Sequence, residues 1–133
     1  MNENKNLTKM KNINLEPTIS TPLVKFITSG RMLLEGRSLP ENVTKFYSPL
    51  IEWVRMLKAE VVKLDINLEY LNSASSKKLL ELLKVLDANN NITVLIVNWH
   101  YESDDEDALE SGQIFEELLF KAQFRYHEYS EAA

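Results

Sequence analysis

Val62-Lys63-Leu64-Asp65-Ile66-Asn67-Leu68-Glu69-Tyr70 alternates apolar and polar residues without a break. Successive side chains of a strand point to opposite faces, so this period of two predicts a strand with one dry face and one wet one. After Asn72-Ser73-Ala74-Ser75-Ser76 the period changes. Leu79, Leu80, Leu82, Leu83 and Leu86 recur on one side of a helix that begins by Lys77. Asp87 to Asn91 is a polar break, and Ile92 to Trp99 is nearly all apolar, the pattern of a central strand buried on both faces. Strand, helix and strand in that order predict a parallel unit with a right-handed crossover.

Working outward, Glu102, Asp104, Asp105, Glu106 and Asp107 open a third helical pattern with Leu109, Phe115, Leu118 and Leu119 as its apolar positions. Gly112 weakens that helix by about 1 kcal/mol relative to alanine. Gln123 to Tyr129 reads as a final edge strand. Towards the N-terminus, Val43, Phe46, Tyr47, Leu50, Ile51, Val54 and Leu57 form one apolar stripe that keeps its phase across Pro49, which predicts a single helix kinked there. Leu23 to Thr28 and Arg31 to Glu35 flank Ser29-Gly30 as a two-residue hairpin, and a short strand around Ile13 to Ile19 precedes them. Residues 1–12 read as a polar, mobile tail and residues 13–133 as one domain. The expected fold is α/β: an open mixed β-sheet with an N-terminal β-hairpin region followed by α-β-α-β-α-β.

A chain of 133 residues fits one domain and buries enough surface to need no staple. It has no cysteine, which excludes a disulfide scaffold, a cysteine zinc site and thiol catalysis. The N-terminus lacks the apolar core of a secretory signal, and the longest apolar run, Val94 to Val97, is far too short to span a bilayer. A cytoplasmic location is expected, with no membrane insertion. The net charge of −5 is local: the acidic run holds five of the 20 acidic residues, and the other 15 balance 15 lysines and arginines. No basic patch with interleaved aromatics is visible, so nucleic acid is not an expected partner. No nucleophile elbow, phosphate loop, dinucleotide fingerprint or zinc helix motif occurs. Catalysis, cofactor and metal are therefore not expected.

The junction Tyr70 to Lys77 is the most informative segment. Ligands of open α/β sheets gather outside the carboxyl ends of strands, and helix N-termini favour anionic oxygens. One reading makes Ser73 an N-cap worth about 1 kcal/mol, with Ser75 and Ser76 in the first turn. The other makes it a phosphoacceptor, with Lys77 and Lys78 placed to help. Pattern alone leaves both open. The acidic run 102–107 does not match a calcium loop and reads as a solvated helix start or a docking edge. Trp99 and Tyr101 fall on one side of their strand as core or rim anchors and His100 on the other. His127 has no sequence neighbour that would make it a base.

Four stretches together resemble one family: Pro40-Glu41-Asn42; Phe46-Tyr47-x-Pro49-Leu50-x-x-Trp53; Tyr70-Leu71-Asn72-Ser73-x-Ser75-Ser76-Lys77; and Trp99-x-Tyr101-Glu102-x-Asp104-Asp105-Glu106-Asp107-x-x-Glu110-x-Gly112. They resemble the SiaC family of bacterial regulatory phosphoproteins, whose fold is similar to the STAS domain of anti-anti-sigma factors. The resemblance covers roughly Ile13 to Tyr129. It implies a partner-switching cycle in which a kinase phosphorylates the protein, a phosphatase restores it, and the unmodified form binds a diguanylate cyclase, promoting cyclic di-GMP synthesis and biofilm formation. The family's phosphoacceptor threonine falls on Ser73, with Ala74 where serine is usual and Ser75 and Ser76 as alternatives. The implied partner-binding segment is Asn72, Ser73, Ala74, Ser75, Ser76 and Lys77. Two other readings stand beside it: a constitutive protein-binding adaptor, and a small metal- or nucleotide-dependent enzyme using segment 102–107.

Overall fold

The computed structural model describes residues 10–131, so residues 1–9 of the expected tail lie outside them. Within the described residues, strands β1 (Ile13–Leu15), β2 (Leu23–Phe26) and β3 (Arg31–Ser38) are followed by helix α1 (Val43–Met56), β4 (Val61–Leu71), α2 (Ser73–Ala88), β5 (Val94–Glu102), α3 (Glu106–Glu117) and β6 (Gln123–Tyr129). The six strands form one sheet in sequential order. β1, β2 and β3 pair antiparallel, whereas β3 to β6 run parallel, each joined to the next through one helix. The expected mixed α/β architecture is the observed one.

The alternation in β4 sets the layers. Val62, Leu64 and Ile66 are buried and join Val24, Phe26, Met32, Leu34, Leu95, Val97 and Trp99 in the core under the helices. The opposite face carries Lys25, Glu35, Lys63, Asp65, Asn98, Arg125 and His127 and lies open to solvent. This corrects the expectation that β5 is buried on both faces. Only Ile96 is buried on the outer side, at a register position between Lys63 and Gln123, while Val94, Asn98 and His100 are half-exposed.

Helix α1 runs unbroken across Pro49, whose ring sits on the exposed side, where water can satisfy the carbonyl it leaves unpaired. Asn42 caps it by accepting from the Lys45 N–H at 2.9 Å. Its buried face, Tyr47, Leu50, Ile51, Trp53 and Val54, packs beside the leucines of α2. Asn89, the C-cap of α2, ties both helix ends together by donating from Nδ2 to the carbonyls of Val54 and Leu57, each at 2.9 Å.

Two expectations change at the N-terminal side. β1 is three residues long rather than reaching Ile19, and the hairpin loop includes Thr28 as well as Ser29-Gly30, closed by Gly30 N–H to the Ile27 carbonyl. Gly30 has φ +108°, and a Cβ there would fall 2.2 Å from the Val61 carbonyl oxygen, so only glycine fits. Residues 10–12 touch the domain: Met10 packs on the core, the Lys11 carbonyl accepts from Trp53 Nε1 at 2.8 Å, and Asn12 Oδ1 accepts from the Thr28 N–H.

Candidate functional site

The carboxyl ends of β3, β4 and β5 and the N-termini of α2 and α3 meet at one pole of the domain. Asn72, not Ser73, is the cap of α2. Its side chain accepts from the Ser75 N–H at 2.9 Å, and its carbonyl accepts from the Ser76 N–H at 2.8 Å. The cap expected at Ser73 is thus displaced by one residue, because an asparagine is at least as good a cap and stands one position nearer the strand. Ser73 becomes the first helical residue and Ala74 the second, and both are exposed.

The three serines have different surroundings. Ser75 is fully buried and its Oγ accepts from Ser38 Oγ at 3.0 Å. Ser38, also fully buried, is 2.5 Å from the hydroxyl of buried Tyr47. Burial pushes the Tyr47 hydroxyl above its ordinary pKa, opposed by its serine neighbours. This chain of hydroxyls fastens the first turn of α2 to the end of β3 and to α1. Ser76 is half-buried and lines a small cleft with Ile66, Trp99, Asp105 and Ser111. Of the three, only Ser73 is exposed. Lys77 is exposed, whereas Lys78 is engaged with Glu81 at 3.3 Å.

The acidic run forms the wall beside this helix start. Asp105 caps α3 by accepting from the Ala108 N–H at 3.0 Å, and Glu106 and Asp107 occupy the first turn, where carboxylates offset the helix dipole. Glu102 accepts from the Asp104 N–H. Trp99, buried as expected, donates its indole N–H to the Ala108 carbonyl at 2.9 Å and stacks edge-on against Phe115.

A cleft of about 430 Å³ opens next to it, lined by Arg37, Tyr70, Tyr101, Glu102, Asp104 and Tyr129. The Arg37 guanidinium lies 5.3 Å from the Tyr70 ring centre, a cation–π contact, while its shielded Nε meets no acceptor. Burial raises the Tyr129 hydroxyl, and Glu131, Glu69, Glu102 and Asp105 push it further in the same direction. The pole therefore sets an exposed serine beside a mostly acidic rim.

Sequence reasoning missed Ser38, Tyr47 and Arg37 as parts of this pole, because Ser38 and Ser75 meet only through the parallel pairing of β3 and β4. It also missed the polar cluster on the open sheet face. His100 Nε2 is 2.8 Å from Asp65 Oδ1 and its ring stacks on His127 at 4.8 Å, with His127 Nε2 2.9 Å from Asn98 Oδ1. These are cross-strand neighbours, which no local window reveals. Among the described residues, no three His, Cys, Asp or Glu side chains are placed to share a metal ion, and no helix is long and apolar enough to cross a membrane.

Residues 15–129 match the SiaC family, described as regulatory phosphoproteins. A protein of Pseudomonas aeruginosa strain UCBPP-PA14, described as uncharacterised, is 30% identical over 113 residues, covering 81% of this chain and 90% of its own length. A chain in the crystal structure of the P. aeruginosa diguanylate cyclase SiaD with its activator SiaC superposes with a TM-score of 0.77 at 26% identity, covering 88% of this chain and 99% of that one. The P. aeruginosa apo-SiaC structure gives 0.71 at 25% identity over 91% of this chain and 100% of that one. These matches place the chain among regulatory proteins rather than enzymes. It belongs to the SiaC family of regulatory phosphoproteins.

Proposed function

We propose that this chain is a phosphorylation-switched binding partner of a diguanylate cyclase, with Ser73 as the phosphoacceptor. The observation that carries the reading is the division of labour among the serines. Ser73 is exposed on the first turn of α2, while Ser75 is buried and hydrogen-bonded to Ser38. A kinase reaches Ser73 without opening the fold, whereas Ser75 requires the first turn of α2 to unwind. The likeness to SiaC in its complex with the cyclase SiaD supports the class of partner.

In this reading the unmodified pole, Asn72 to Lys77 with the neighbouring acidic rim, contacts the cyclase and promotes cyclic di-GMP synthesis in the cytoplasm. A phosphate at Ser73 adds nearly two negative charges and a bulky hydrated group to a rim that is already negative. Partner contact then requires desolvating that dianion, which raises the dissociation rate. A kinase and a phosphatase set the occupancy of Ser73, and through it the bound fraction.

The test is phosphopeptide mass spectrometry on the protein isolated from its native cells under conditions that favour and disfavour biofilm. Phosphate on Ser73 that changes between the two supports the switch. A Tyr70–Lys77 segment unmodified throughout contradicts it and leaves a constitutive adaptor.

A further inference from the structure

Phe120 follows α3 in the turn into β6, and it is 98% exposed. A lone exposed apolar residue is ordinary, but this one is neither alone nor loosely held. Ile114 and Leu118, four positions apart and so on one side of α3, are 48% and 47% exposed. The backbone that bears Phe120 is clamped from below. Asp87, near the end of α2, accepts from the N–H groups of Phe120, Lys121 and Ala122 at 2.8, 3.0 and 2.9 Å. Lys121 Nζ adds bonds of 2.7 and 2.6 Å to the carbonyls of Asn89 and Ile92. The aromatic ring is thus projected into water from a fixed base, which lowers the entropy lost when a partner covers it. Rigid exposed aromatics are the side chains that anchor interfaces.

The surroundings state what can cover it. Towards this end of α3, residues 108–118 carry Glu110, Glu116 and Glu117 and no lysine or arginine. Glu110 and Glu117 share the helical stripe of Ile114 and Leu118 by their spacing. A second copy would set this acidic stripe against another, and an anionic bilayer would repel it. A protein surface with positive charge around an apolar pocket matches it.

We infer that the Phe120 face is a second docking surface, independent of the Ser73 switch, for a partner presenting an aliphatic pocket edged by lysine or arginine. Asp87 lies fourteen helical steps along α2 from Ser73, about 21 Å at the helical rise, so a phosphate at one pole lies beyond the screening length from the other. The inference does not rest on the Ser73 reading.

The experiment places the photoreactive p-benzoylphenylalanine at position 120 of the full chain in native cells. The crosslinked peptide is sequenced, and the purified captured protein is titrated against the wild type, F120S, E117K and S73D. The expected result is a peptide of aliphatic and basic residues. F120S should weaken binding at least about tenfold and E117K several-fold, while S73D stays within about twofold of the wild type. F120S should melt no lower than the wild type, since an exposed ring contributes nothing to the core. Capture of lipid or of a second copy, the absence of any crosslink, or an affinity unchanged by F120S overturns the inference. Loss of binding in S73D overturns its independence from the switch.

Discussion

Ser38 donates a hydrogen bond to Ser75 at 3.0 Å across 37 residues of sequence, joining the end of β3 to the first turn of α2. Because the single Ser38 hydrogen is used there, the Tyr47 hydroxyl donates to Ser38. The helix start that displays Ser73 is therefore held from inside, through groups that never reach the surface.

Replacing Tyr47 by phenylalanine should cost about 1 kcal/mol at pH 7, the usual value of a hydrogen bond lost without a cavity. Burial holds the Tyr47 hydroxyl above the ordinary tyrosine value of 10.0 in the folded state. The unfolded tyrosine therefore releases its proton first, and folded stability is complete below about pH 10 and declines as pH rises through the higher folded value. Tyr47→Phe should flatten that alkaline decline. Denaturant melts between about pH 7 and 12 compare the two slopes.

Ser73→Asp should leave the fold intact or stabilise it by about 0.3–1 kcal/mol, because a carboxylate in the first turn complements the helix dipole. A clear loss of stability in thermal melts would show that Ser73 is a structural position rather than a surface one.

Gly112→Ala tests the packing of α3. At an open helical site this change is favourable by about 1 kcal/mol. Here the added Cβ would fall 2.8 Å from Trp99 Nε1 and 2.9 Å from two of its ring carbons. The expected outcome is destabilisation by about 1–3 kcal/mol, the range for overpacking, with a change in tryptophan fluorescence.

Asp87→Ala removes the acceptor for three consecutive N–H groups. A loss of about 2–3 kcal/mol is expected, together with faster hydrogen exchange at residues 120–122. Asp87→Asn keeps one acceptor oxygen and should recover part of it.

The layer order of this fold was legible because β4 keeps strict alternation and α2 keeps a clean leucine stripe, so the period change at Asn72 marks the strand-to-helix junction. The shift of the cap from Ser73 to Asn72 was not legible, since both residue types cap well and only the backbone decides between them. Gly112 looked like a weakness of α3, and its cause lies in Trp99, on a different element. The expected second buried face of β5 failed for a related reason. An apolar run reports burial without saying which faces are covered, and on the outer side of β5 only Ile96 is buried. The site divides in the same way: its exposed residues lie in two short segments, 70–77 and 102–107, while Ser38, Tyr47 and Arg37 reach it only through tertiary pairing.

The central claim is that charge at Ser73 governs binding to a diguanylate cyclase. The direct measurement is the affinity of the cyclase from the same cells for the wild type, Ser73→Ala and Ser73→Asp, made side by side. The account predicts that Ser73→Ala binds like the unmodified chain and that Ser73→Asp binds at least about tenfold more weakly through faster dissociation. Equal affinity of all three would contradict it.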